Sequence, residues 1–145
     1  AVEFDYPDGA KGYHFTRQQA DTDTRNSVDI FGDKGTAEIH PGRLYEINGS
    51  EEWSYDGEEN DMYQTQHDEL FASIRNGQPI NDGEHMANSS MLAIWARMAG
   101  YSGKKISWEQ AFNSNETLGP ELEAYDWNLN WPTPPIAVPG KTKVV

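Results

Sequence analysis

Met62-Tyr63-Gln64-Thr65-Gln66-His67-Asp68-Glu69-Leu70-Phe71-Ala72-Ser73-Ile74-Arg75-Asn76-Gly77 is where the period of the chain changes. Met62, Leu70, Phe71 and Ile74 gather on one side of a helical wheel, with Asp68, Glu69 and Arg75 elsewhere, and Asn76-Gly77 supplies the stop. Upstream the period is two. Val2, Phe4 and Tyr6 alternate with Glu3 and Asp5, and the turn Pro7-Asp8-Gly9 leads into a second alternating run from Tyr13 to Gln18. Val28-Asp29-Ile30-Phe31, the turn Gly32-Asp33-Lys34-Gly35 and Thr36-Ala37-Glu38-Ile39 form another hairpin. Leu44-Tyr45-Glu46-Ile47, Asn48-Gly49 and a segment around Trp53-Ser54-Tyr55 complete an antiparallel meander of about six strands.

Downstream the helical period continues. Asn81 and Glu84 have capping-box spacing, Met91, Leu92, Ile94, Trp95 and Met98 follow, and Gly100 is the expected stop of a deeply placed helix. Ser107 and Gln110 repeat the capping spacing around Trp108, Ala111 and Phe112. Strands first and helices second predict an α+β fold: an open, mostly antiparallel sheet of about six strands with two to three helices packed on one face. From Glu121 onward the prolines at 132, 134, 135 and 139 exclude helix and central strand. We therefore expect a domain over residues 1–120 and a Pro/Trp-rich arm over 121–145, docked through its aromatic side chains.

The chain has 145 residues, 24 acidic against 11 basic side chains, a net charge of −13 and no cysteine. That charge repels phosphate backbones and argues against nucleic acid as a partner. The lack of cysteine removes disulfides and thiolate chemistry and leaves a reducing cytoplasm and export equally open. No apolar run reaches the roughly 18 residues of a membrane span. The start at Ala1, in a run that already alternates like a strand, predicts processing or a cut within a longer protein.

Motifs for self-contained catalysis are missing: no GxGxxG, no phosphate-binding Gly-rich loop, no GxSxG and no HExxH. His14, His40, His67 and His85 fall singly on different elements, so no metal site is expected. Glu51-Glu52 and Glu58-Glu59 read as solvated loop acids rather than a glycosidase pair. Trp53, Tyr55, Trp127 and Trp131 read as core or arm-docking aromatics, with a sugar-stacking platform as the alternative. Tyr63 and His67, four apart, share a helix face, where the histidine either reaches a ligand or bonds internally. Arg17 and Gln18 alternate on a strand, so one of them faces away from the covered side.

The run Met62-Tyr63-Gln64, the stretch from His67 to Gly77 and Pro79-Ile80-Asn81-Asp82-Gly83-Glu84 resemble the Gfo/Idh/MocA oxidoreductase family. The hairpin end Thr16-Arg17-Gln18, the turn Gly32-Asp33-Lys34-Gly35-Thr36-Ala37, Gly103-Lys104-Lys105-Ile106-Ser107-Trp108 and Pro134-Pro135-Ile136-Ala137-Val138-Pro139-Gly140 resemble its bacterial, often secreted, branch. The resemblance covers nearly the whole chain, but only the family's C-terminal domain. It implies a parent that transfers hydride between NAD or NADP and a sugar, polyol or related compound, with the cofactor and the Glu-Lys-Pro motif in a separate N-terminal Rossmann domain. This chain would then carry no catalytic or cofactor residue and would be inactive alone. Substrate contacts would lie near Arg17, Gln18, Tyr63 and His67, and the open sheet face would join a homo-oligomer. The competing expectation is a secreted carbohydrate-binding module, whose usual β-sandwich leaves no place for a long buried helix.

Overall fold

A computed structural model describes residues 1–144. The strands are β1 (Val2–Asp5), β2 (Lys11–His14), β3 (Val28–Gly32), β4 (Gly35–His40), β5 (Leu44–Gly49) and β6 (Trp53–Ser54). The helices are α1 (Met62–Arg75), α2 (Gly83–Ser102) and α3 (Trp108–Phe112), and a single 3-10 turn follows at Leu122–Ala124. The fold is α+β, and every strand pair is antiparallel. The six strands divide between two sheets, β1-β2 and β3-β4-β5-β6, where a single sheet was expected. The segment between β2 and β3 explains the break. It is polar, offers no alternating apolar face to bury, and Asp21 takes a left-handed φ of 59° that interrupts an extended chain.

The chain forms two compact units, Ala1–Gln18 with Asp82–Val145, and Gln19–Asn81. In the first, α2 packs on β1 and α3 packs on α2. Its core holds Met98, Ile106, Ala111 and Val144, with Met91 and Trp95 against them. Trp95 Nε1 donates to the Ile106 carbonyl at 2.8 Å, so the indole N–H is satisfied where it leaves solvent. Arg97 pairs with Glu116 in a partly buried contact and lies 5.5 Å from the Tyr101 ring centroid.

Three local expectations change. The capping box at Asn81/Glu84 does not form: the N-cap is Asp82, which makes no side-chain capping bond. Gly100 lies inside α2, and the stop is Gly103, whose φ of 65° is the left-handed C-cap conformation that glycine adopts without steric cost. Only Ala96, Met98 and Ser102 of α2 are buried, so the helix lies deep at its C-terminal end alone. The box at Ser107/Gln110 is present, with Ser107 Oγ accepting from Gln110 N at 3.1 Å and Gln110 Oε1 accepting from Ser107 N at 2.9 Å.

The arm also differs from expectation. Its aromatic residues do not dock: Tyr125 and Trp131 are exposed and Trp127 is wholly so. What holds it is its far end. Gly140 N donates to the Ser102 carbonyl, Ser114 Oγ donates to the Val144 carbonyl, and the Val144 side chain enters the core.

In the second unit, β3 to β6 form a meander whose register sorts side chains by face. Val28, Ile39 and Tyr45 lie in one cross-strand row, and Ile30, Ala37, Ile47 and Trp53 in the next. Both rows point to the same side, because partners across a ladder share a face and residues two apart repeat it. The opposite side carries Asp29, Glu38 and Glu46 in one row, with His40 beyond. Helix α1 is capped by Asp61, which accepts from Tyr63 N at 3.0 Å and Gln64 N at 3.1 Å. None of its residues is buried, so the expected packing of this helix on a sheet face is not made.

Candidate functional site

Two surfaces stand out, one in each unit. The first is a cleft of about 680 Å³ whose walls include Val2 to Pro7, Leu92, Trp95, Ala99 and Lys104 to Trp108. Phe4 meets Trp95 edge to face at 5.2 Å between centroids, and Trp95 meets Trp108 in the same way at 5.7 Å. Trp108 in turn stacks on Phe112 at 6.1 Å. Edge-to-face rings lock one another in orientation, so this wall is stiff as well as apolar. Its rim is charged. Lys105 bonds Asp5 at 3.0 Å, and Lys11 pairs with Glu3 at 2.9 Å and also with Asp5. The Lys11 hydrogen bond, with help from Lys105, holds the Asp5 carboxyl below its ordinary range. The same contact with Asp5, followed by Glu3, raises the Lys11 ammonium. Such groups can orient a ligand by charge and stack it against rings. None of them is arranged as a nucleophile with its base.

The second surface is the apolar face of the four-stranded sheet. Val28, Ile30, Ile47 and Trp53 are each about half exposed, and Tyr55 adjoins them with its ring 6.0 Å from Tyr45 and 6.5 Å from Trp53. No charged side chain falls in either row of that face. On the reverse face Arg25 reaches Asp29 at 2.7 Å and Glu38 at 3.3 Å, and His40 Nε2 lies 2.6 Å from Glu38. The hydrogen bond from His40 is the main reason that the Glu38 carboxyl titrates below its ordinary value.

The residues expected near a substrate are distributed as follows. Tyr63 and His67 lie one turn apart on α1, both exposed, and His67 Nδ1 donates to the Tyr63 carbonyl at 2.7 Å. That bond fixes the tautomer of the neutral ring and leaves Nε2 as an acceptor facing out. Arg17 and Gln18 are exposed but lie beyond the end of β2, so the strand alternation expected for them is absent. Both belong to the first unit, whereas Tyr63 and His67 belong to the second. Sequence reasoning missed the cleft. Trp95 and Trp108 were legible as apolar anchors, but nothing local ties them to Phe4, which meets them only through the packing of α2 on β1.

Among the described residues no group of three or more His, Cys, Asp or Glu is placed to hold a metal ion. Among the described residues no helix is long and apolar enough to cross a membrane. No family model, curated protein or solved structure matches the chain.

Proposed function

We propose that this chain is the substrate-pocket and oligomerisation domain of an NAD- or NADP-dependent oxidoreductase of the Gfo/Idh/MocA type, acting on a sugar, polyol or related compound. The observation that carries the assembly part is the uncharged apolar face of β3 to β6. A patch of this kind on a chain of net charge −13 is a surface suited to association, since two copies can approach there without setting like charges directly against each other. The oxidoreductase part rests on the ordered run of family-like segments, on an α+β architecture with antiparallel sheets, and on a sequence without a dinucleotide-binding fingerprint. In this reading the nicotinamide cofactor belongs to a partner Rossmann domain. The carbohydrate-binding module is the weaker reading, because 14- and 20-residue helices do not suit a sandwich.

Size-exclusion chromatography with light scattering over a dilution series tests the assembly role, and tryptophan fluorescence with NADH tests the division of labour. The expected result is a dimer or larger assembly with no saturable NADH response. A strict monomer removes the assembly role, and saturable NADH binding removes the assignment of the cofactor to another domain.

A further inference from the structure

The aromatic cleft of the first unit is open, and the same unit carries an uncovered segment of matching chemistry. Residues 121–127 read Glu-Leu-Glu-Ala-Tyr-Asp-Trp, three acids interleaved with three large apolar side chains. Leu122 is 83% exposed, Tyr125 60% and Trp127 fully. The backbone hydrogen bonds of the 3-10 turn and of residues 126–129 include the local pairs Tyr125 N to Leu122 O and Leu129 N to Asp126 O. Residues 121–127 therefore keep a local turn structure with their large apolar side chains largely uncovered.

The cleft offers what this segment lacks. Its volume falls within the range of about 300–1,000 Å³ typical of concave binding sites. Phe4, Trp95 and Trp108 line it, Phe4 buried against Trp95 and the two indoles each partly exposed. Lys104 and Lys105 of its lining stand against Glu3 and Asp5, and Lys11 pairs with the same two acids from outside the lining. Glu3 and Asp5 are occupied by Lys11 and Lys105, and no ion pair of Lys104 occurs among the described residues.

We propose that the acidic aromatic arm, residues 121–127, of one copy of this chain inserts into the lysine-rimmed cleft of a second copy, with Trp127 against Phe4, Trp95 and Trp108. The second copy returns its own arm, so the exchange closes as a pair instead of growing into a fibre. An indole in a desolvated pocket ringed by charge-complementary contacts is the usual composition of an interface anchor. This contact is separate from the sheet face and stands without it.

Carbodiimide cross-linking of an equal mixture of ¹⁴N- and ¹⁵N-labelled chain, read by peptide mass spectrometry, tests the exchange. The expected products are mixed-isotope pairs joining Glu121, Glu123 or Asp126 to Lys104 or Lys105. Same-isotope pairs alone, or none, overturn the proposal. Trp127→Ala, at a side chain with no packing to lose, is expected to weaken association about 30-fold. Lys104→Glu should weaken it about tenfold, and Glu123→Lys in that background should restore it. Unchanged association in Trp127→Ala, or no restoration in the charge swap, also overturns it. In Ile47→Lys, where the sheet contact is removed, the mixed-isotope pairs should persist. Their loss there overturns the arm as a separate contact, whereas persistence with the overall association unchanged from that of the unsubstituted chain sinks only the sheet-face reading.

Discussion

Gly35 and Gly49 face each other across β4 and β5, and each is required by the backbone of the other's turn. A Cβ on Gly35 would overlap the Asn48 carbonyl oxygen, and one on Gly49 would stand 2.5 Å from the Lys34 carbonyl oxygen. Gly35 also has a φ of 155°, rarely open to a residue with a side chain. Gly35→Ala is therefore expected to cost about 2 kcal/mol or more, read as a lower urea midpoint with an unchanged m-value. Glu38 makes a second residue-scale claim. Its folded pKa is depressed, chiefly by His40, so its contribution is present above the ordinary carboxylate value and lost as pH falls through the lower folded one. Lys11 runs the other way: its raised pKa gives a contribution present below its ordinary value and lost as pH rises through the higher folded one. Urea midpoints across pH should therefore fall at both ends, and Glu38→Gln should make the acid limb shallower, leaving the part that Asp5 contributes, while the alkaline limb stays unchanged.

At the scale of elements, the caps decide which helices stand unaided. Helix α3 has a full capping box and buries Ala111, whereas α1 has its Asp61 cap and buries nothing. Asp61→Ala should cost about 1 kcal/mol locally and show as lost helix ellipticity, because no packing holds α1 once its first turn frays. Ser107→Ala should cost a similar amount with much less loss of ellipticity, since α3 is short and its Ala111 stays in the core. The difference between the two variants measures how far α1 depends on its own sequence. These elements were legible because their signals are local: alternation for the strands, the Ser107/Gln110 spacing, the stop at Asn76-Gly77. What was not legible needed distant partners. The break into two sheets depends on a polar segment whose backbone turns at Asp21, the end of α2 depends on which of two nearby glycines goes left-handed, and the cleft exists only because α2 packs on β1. Arg17 and Gln18 were misplaced for a related reason: alternation continues past His14 in the sequence, but pairing stops there.

For the whole molecule, the amount of surface frames the question of assembly. Two separate compact bodies sharing the mass of this chain would expose about 9,000 Å². The chain exposes 13009 Å², with Ile30, Ile47 and Trp53 of one sheet face about half uncovered. The four strands offer a footprint of roughly 350 Å², from their rise and spacing. That is under half of the roughly 800 Å² that each partner buries in a stable interface. Sheet stacking alone would thus give a weak, concentration-dependent pair, and a tight one needs a further contact such as the arm. Ile47→Lys separates packing from association, because Ile47 sits between Ala37 and Trp53 in the central row and is already half in solvent. If the face is an interface, the charge should weaken association at least tenfold while the stability of the single chain changes by no more than about 0.5 kcal/mol. A drop of about 2 kcal/mol in the dilute chain with the mass unchanged would mean that the face packs within one chain. The association and dilute-stability measurements, made on the same variant, therefore assign the apolar face either to a partner or to the fold.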